Sequence, residues 1–489
     1  MQNSNIKNDK SILEQIARRV MQQHEFLPDF SIAALDQLSN IQNIVAETVA
    51  IKKDLRQLPW LSIDNDDSSD LDQLTVAELL PDNNVMILVA IADVDTLVKK
   101  NSPIDQHAHK NTTSIYTAGK AFPMLPDNLS TNLTSLNYQE DRPSVVIEMI
   151  ITNAGDMQSS DIYQAVVRNH AKLAYSGVAA WLEGKVTIPL TIDTSIAANL
   201  HIQDKVAQKL RGKRHLRGAL ELQTLVARPV FIGDEIKDLQ VDETNRAKQI
   251  IEDFMIAAND ITALFLKGKQ IPSLKRVVRS PKRWDRIVEI AAQHNFPLPP
   301  EPDSKALADF LTKQKAADPL RFPDLSLVII KLLGSGEYII ELPNETALGH
   351  FGLAVKDYTH STAPNRRFPD LITQRMLKAT LGGLPLPYIQ SELIELAKYC
   401  TLKEDDANKV ERRVAKSAAA MLLSSRIGGQ FDAICTGAAD KGTWVRIFQP
   451  PIEGRLLHGY EGIDVGNRLK EKLIHVDVNQ GFIDFERVH

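Results

Sequence analysis

Cysteine is almost missing from this chain. Cys400 and Cys435 are the only two among 489 residues, too few for a disulfide framework or a structural zinc site, so thiol chemistry drops out. Long apolar runs are missing too, since none approaches the ~18 residues that a membrane-spanning helix needs. The opening MQNSNIKNDKS has neither the apolar core of a secretion signal nor the Arg-rich character of a transit peptide. The expectation is a cytoplasmic protein with no membrane partner. Nor is there an excess of positive charge. With a formal net charge of -5, any hold on a polyanion must come from local patches. Residues 205–217 could supply one, with Lys205, Lys209, Arg211, Lys213, Arg214 and Arg217. Residues 267–286 could supply another, with Lys267, Lys269, Lys275, Arg276, Arg279, Lys282, Arg283 and Arg286. A charge run taken alone is most often a solvated helix face.

What is present is a hydrophobic content of 43% over a length that supports a large core and two or three units. Helical spacing of Ile12, Ile16 and Val20, and again of Ile32, Leu35, Leu38 and Ile41, predicts two short helices within residues 1–45. Strand-like runs follow at VMILVAIADV, RPSVVIEMIIT and DIYQAVVRN. Helices dominate from 203 to 430, with Ile250, Ile251, Phe254, Ala257 and Ala258 as a clear apolar stripe. Over residues 431–489, five β-branched and aromatic runs recur with Gly or Pro between them, the pattern of a small antiparallel barrel. The fold class expected is α+β, with a short helical N-terminus at 1–45, a mixed domain at 46–430 and an OB-type barrel at 431–489. Trp444, Arg446, Phe448, Arg455 and His458, if exposed, would suit a barrel that holds single-stranded nucleic acid by stacking and charge. A barrel used only for packing or dimerisation is the alternative.

IDNDDSSDLDQ places Asp64, Asp66, Asp67, Asp70 and Asp72 within nine positions, directly after an apolar run. Convergent carboxylates raise one another's pKa unless a hard cation sits among them, and oxygen donors without His or Cys favour Mg²⁺, Mn²⁺ or Ca²⁺ over zinc. The spacing is not that of an EF-hand, because no Gly stands sixth and no Glu twelfth. A solvated acidic loop is the bland alternative. A second segment, HFGLAVKDYTHSTAPNRRFPDLITQR, gathers His350, His360, Arg366, Arg367, Asp370 and Arg375 around Pro364. Metal-bound carboxylates beside arginines are what phosphoryl transfer requires.

These segments resemble the ribonuclease II family, whose RNB-type catalytic domain carries T-I-D-x5-D-x-D-D, then V-A-I-A-D, an R-P stretch, H-F-G-L and S-P-I-R-[RK]-[YF]-x-D. Here SIDNDDSSDLDQ, VAIADV, EDRPSVVIEM, IEDFMIAAN, HFGLAV and YTHSTAPNRRFPD stand in the same order across roughly residues 50 to 430. The resemblance implies a 3′-to-5′ exoribonuclease that hydrolyses single-stranded RNA to nucleoside 5′-monophosphates with Mg²⁺, Mn²⁺ being possible in its place, and that works as a monomer. Carried over, the acidic ligands fall on Asp64, Asp70 and Asp72, with Asp72 closest to the chemistry and Gln73 at the position of the last acid. The transition-state arginine falls on Arg366, and a tyrosine near the scissile phosphate on Tyr175. RNA contacts fall on Tyr116, which would stack on the 3′ end, and on Glu252, which would read the terminal ribose; Arg367 in the arginine turn and Trp444 on the barrel are expected to add to them.

Asp105, His107 and His109 in DQHAHK look like metal ligands, but on a helix i and i+2 point to different faces. The resemblance puts this stretch outside the ligand set, and both histidines are expected at the surface. The chain departs from the family pattern at Gln73, at Ala363 and Asn365 in the S-P-I-R turn, and at Leu222, where many members have a stacking aromatic. The paired cold-shock barrels of many relatives are not expected here, which leaves RNA guidance to the C-terminal barrel and the basic segments. Two alternatives stand beside the nuclease. One is an RNA-binding protein with catalysis weakened by Gln73 and Leu222, against which the retained Asp64, Asp70, Asp72 and Arg366 argue. The other is a metal-dependent hydrolase of small phosphate esters, which would need neither the barrel nor the basic segments.

Overall fold

The structure, a computed structural model, describes residues 8–44, 53–186, 193–224, 226–242, 244–342 and 348–488. Two helices, α1 (Asp9–Gln23) and α2 (Ile32–Ile44), come first. They precede β1 (Leu61–Asp64), β2 (Gln73–Leu79), β3 (Val85–Ala92), α3 (Pro103–Asn111), β4 (Ile115–Tyr116), β5 (Ala121–Phe122), β6 (Asp141–Ile151), β7 (Met157–Arg168) and β8 (Ala171–Ala174). Next are α4 (Tyr175–Leu182), α5 (Thr194–Leu216), the hairpin β9 (Val226–Ile232) and β10 (Glu235–Asp242), α6 (Arg246–Gly268) and β11 (Ser273–Val277). Helices α7 (Trp284–Gln293), α8 (Ser304–Ala317) and α9 (Phe322–Leu333) lead to β12 (Glu337–Glu341), α10 (Phe368–Gly382) and the long α11 (Gln390–Leu423). The barrel strands are β13 (Gln430–Ala439), β14 (Gly442–Ile447), β15 (Glu453–His458), β16 (Arg468–Asp477) and β17 (Phe482–Arg487).

A six-stranded sheet in the order β7-β6-β3-β2-β1-β8 is the frame of the main body. Side chains alternate along a strand, and both faces here are apolar. Leu74, Val76, Leu88, Ala90 and Val146 pack with Ile104, Phe368, Leu371 and Leu393 on one face. Ile87, Val89, Ile91, Val145 and Ile147 pack with Ile250, Phe254 and Ala258 of the predicted α6 stripe on the other. The N-terminal helices differ in detail from the sequence pattern. α1 buries Leu13, Ile16, Ala17, Val20 and Met21 against Val410, Val414 and Ala418 of α11, leaving Ile12 partly exposed, and α2 exposes Ile32 and Leu35.

The C-terminal strands close into a barrel in the order β13-β14-β15-β17-β16, with β13 pairing β16 and β15 running parallel to β17. This is the OB-type barrel expected. One expected surface residue is inside, however. Arg446 is buried and ion-paired with Asp324 of α9, so it joins the barrel to the helical layer and does not face solvent. Lys331 of α9 adds an ion pair to Glu453 at 2.7 Å. A buried pair of this kind is costly to break, because either charge left alone pays its desolvation in full.

Two further expectations change. His107 is buried, with its ring 4.1 Å from that of Phe30 and its Nε2 3.2 Å from the Asn111 amide, and burial pushes its pKa down to about 4. Helix alternation correctly separated His107 from His109, but α3 presents the His107 face to the body. Asp105 is buried as well, 2.8 Å from Arg375. The basic segments are also less open than their composition suggests. Arg211 and Arg214 both meet Asp253, Lys213 meets Asp156, Lys267 and Lys275 meet Asp357, Arg276 meets Glu404, and Arg286 meets Asp464.

Candidate active site

β1 and β8 run parallel, with Asp64 opposite Ala174. α4 starts at the next residue, so Tyr175 stands beside Asp64, and burial together with the Asp64 charge pushes its phenol pKa up. The loop leaving β1 is stitched to itself. Asp64 Oδ1 accepts the Asn65 N–H at 2.8 Å and the Ser68 hydroxyl at 2.9 Å. Asp66 and Asp67 stay exposed, and Asp66 accepts from Ser176 Oγ at 3.1 Å. Asp70 Oδ2 lies 3.4 Å from the Tyr116 hydroxyl. Burial raises the Asp70 pKa, and the Asp64 charge adds to the effect.

Asp72 is the centre of the arrangement and only 2% exposed. Its Oδ2 is 3.0 Å from Arg366 Nε, and its Oδ1 accepts the Asn365 N–H at 3.1 Å. Burial pushes its pKa up to about 6, with Asp70 raising it further and Arg366 opposing. The enclosing protein disfavours the Arg366 charge, yet Asp72 outweighs this and holds the guanidinium charged. Arg366 is delivered by a turn ahead of α10. There Ala363 O accepts from both Arg366 N and Arg367 N, and Asp370 Oδ1 accepts from Ala363 N at 2.8 Å. The Arg366 carbonyl accepts from Ser114 N at 2.9 Å, which brings the Tyr116 segment alongside.

Six expected residues therefore share one neighbourhood: Asp64, Asp70, Asp72, Tyr116, Tyr175 and Arg366. The others stand elsewhere. Glu252 is on the exposed side of α6 and pairs with Arg211 at 2.7 Å. The acid that meets Tyr116 is Glu411 of α11, whose carboxylate accepts the Tyr116 N–H at 2.8 Å. No local signal marks Glu411, one of many charged residues in that helix. Arg367 points inward and donates to Asp370 at 2.7 Å. Gln73 is buried at the head of β2. It lies on the face shared with Thr75 and Ala77, whose groups meet Gln203 and Asn199 of α5, and alternation turns it away from Asp72. Trp444 is half-buried on β14, with its ring beside Gly437. Leu222 packs into the helical cluster of Trp284, Phe310 and Phe351.

The donor set fits a hard divalent cation in its chemistry. The groups are carboxylates, and both Asp70 and Asp72 are held above the ordinary carboxylate range, partly by a neighbouring negative charge. Among the described residues, however, no three His, Cys, Asp or Glu side chains converge closely enough to hold an ion. Asp64, Asp70 and Asp72 are the residues that would hold one.

Comparison with known proteins points the same way. The model of the RNB domain matches residues 52–383, and that of the RNase II-type exonuclease C-terminal S1 domain matches residues 429–488. Ribonuclease R of Vibrio parahaemolyticus is 30% identical over 510 residues, covering 95% of this chain and 59% of that protein. Ribonuclease R of Escherichia coli is 30% identical over 440 residues, covering 85% and 52% respectively. The chain thus spans a little over half the length of these curated relatives. Among solved structures, Mycoplasma genitalium RNase R in complex with ribose-methylated single-stranded RNA superposes with a TM-score of 0.87 at 25% identity, covering 98% of this chain and 78% of that one.

Proposed function

The chain belongs to the RNB family, and from that premise we propose that it is a 3′-to-5′ exoribonuclease, acting as a monomer on single-stranded RNA and releasing nucleoside 5′-monophosphates. The observation that carries this is the pairing of buried Asp72 with Arg366, joined across 294 positions of sequence. It sets a fixed guanidinium beside a cluster of carboxylates, the combination that phosphodiester hydrolysis uses. A magnesium ion held by Asp64, Asp70 and Asp72, or manganese in its place, would neutralise the phosphate and activate the attacking water.

The chain's own residues do the rest. Arg366, 44% exposed and anchored through Nε, keeps its outer nitrogens for the phosphate oxygens on which charge builds. Asp72 aims that guanidinium. Tyr116, 47% exposed, offers a ring to the terminal base while Glu411 holds its backbone in place. Tyr175 stands on the Asp64 side of the scissile phosphate. Trp444 and the barrel supply stacking for the strand upstream.

Gln73 supports a second reading, an RNB-fold protein that binds RNA with weakened catalysis, because the family's acid is replaced there by an uncharged amide. One assay separates the two. A 5′-labelled single-stranded RNA incubated with protein and Mg²⁺ should shorten to a descending ladder, and the same RNA labelled at the 3′ end should release labelled mononucleotide at once. Intact RNA that stays bound would favour the second reading.

A further inference from the structure

The two halves of the site come from distant parts of the chain, the aspartate loop at 64–72 and the arginine turn at 362–367. Between them passes the segment Thr134–Leu136, which leaves a single π-helical turn at Leu129–Leu133. Ser135 is fully buried. Its Oγ accepts the Leu71 N–H at 2.9 Å, and its one proton is shared between Ser69 O at 2.8 Å and Asn137 Oδ1 at 2.9 Å. Ser69 and Leu71 flank Asp70. Leu136 N donates to Leu71 O at 3.0 Å, which completes the hold on that backbone.

Thr134, the preceding residue, reaches the other half. Its Oγ1 lies 2.6 Å from Asn365 Oδ1 and 2.8 Å from Leu129 O. One proton shared between two oxygens this close would leave both bonds weak, and here a better arrangement is open. Turning the Asn365 amide by half a revolution removes the conflict, because Nδ2, otherwise buried without a partner, then donates to Thr134 Oγ1 while the threonine proton goes to Leu129 O. The buried orphan becomes a carbonyl oxygen, the better tolerated of the two. Asn365 in turn gives its backbone N–H to Asp72.

We propose that Thr134 and Ser135 are positioning residues which set Asp70 and Asp72 relative to each other and to the Arg366 turn, with the Thr134–Asn365 contact as the strut. The isoleucine of the family pattern at position 365 has no group to make this contact, so the strut belongs to chains with a polar residue there. The proposal rests on the nuclease reading for its kinetic consequence but not for its structural one.

Three full-length variants test it: Thr134→Val, which keeps the shape and removes the hydroxyl, Thr134→Ser, which restores the hydroxyl, and Ser135→Ala. In Thr134→Val and Ser135→Ala, kcat on single-stranded RNA should fall on the order of ten- to a hundredfold with KM within about twofold, because the misplacement affects reacting groups and not the RNA path. Thr134→Ser should recover most of the loss. A kcat within about twofold of the parent, or a loss that serine does not reverse, overturns the proposal. Hydrogen exchange supplies a readout free of catalysis. Residues 363–367 should exchange faster in Thr134→Val, and residues 69–73 in Ser135→Ala, while β3 is unchanged. If the parent releases no nucleotide, the nuclease reading fails, and exchange alone decides: unaltered exchange at 363–367 overturns the strut, and a local rise upholds it.

Discussion

Replacing Asp72 with asparagine is expected to lower RNA cleavage on the order of a thousandfold while leaving RNA affinity within about threefold of the parent. The amide can still accept the Asn365 N–H but brings no negative charge to Arg366, 3.0 Å away. It also removes one of the three carboxylates that would hold the cation. Because Asp72 is only 2% exposed, it contributes little surface to a bound strand. The protein itself should remain folded, since burial already disfavours the Asp72 charge and the amide relieves that cost. Single-turnover cleavage of a labelled RNA, with filter binding of the same RNA in the absence of divalent cation, reads the two effects separately. A variant that cuts at the parent rate would remove Asp72 from the chemistry. One that no longer binds RNA would move it to the RNA path.

Glu471→Gln is expected to stabilise the barrel at neutral and alkaline pH. Glu471 projects inward from β16 on the face of Leu469 and Leu473, which pack in the barrel core, and stands opposite Phe431 of β13. It is 0% exposed, and neither carboxyl oxygen has a hydrogen-bond partner. Burial raises its pKa from 4.5 to about 8. The sign follows from proton binding. Between pH 4.5 and about 8 the folded barrel keeps a proton that the unfolded chain releases. Stability therefore falls as pH rises through that window and levels off above it. At pH 7 the loss is roughly 3 kcal/mol. Glutamine cannot ionise, so its barrel should be nearly equal to the parent at the low end of the window and progressively more stable above it. Hydrogen exchange of the β16 amides in the full chain, corrected for intrinsic rate from pH 5 to 8.5, checks this. Parallel pH profiles for the two proteins would show that Glu471 ionises without penalty.

Much of the architecture was legible because the signals are local. The α6 stripe of Ile250, Phe254 and Ala258 repeats at the helical period and meets the central strands, with Ile251 beside it against Leu61 and Ile63 of β1. Barrel strands alternate with turn residues at intervals that leave few other folds. Five aspartates after an apolar run announce themselves, and the order of the motifs along the chain pointed to Arg366 as their answer.

What the sequence by itself determined is therefore the class of fold, the α6 stripe, the C-terminal barrel and the naming of six residues that the fold brings together, but not the β9–β10 hairpin or the β11–β12 pair within the helical stretch. Tertiary structure alone decided which polar groups are inside and who answers them. Arg446 looked like an exposed barrel cation until Asp324 met it from α9. His107 looked like a surface residue until α3 turned it onto Phe30. Glu411 carries no local signal, yet it reaches Tyr116 across 295 positions. The strut between Thr134 and Asn365 likewise joins groups 231 positions apart. The physical reason is the same in each case. Periodicity states which residues share a face, but a charge or hydroxyl can be buried only where a partner satisfies it, and that partner arrives from another element whose neighbours along the chain carry no record of the meeting.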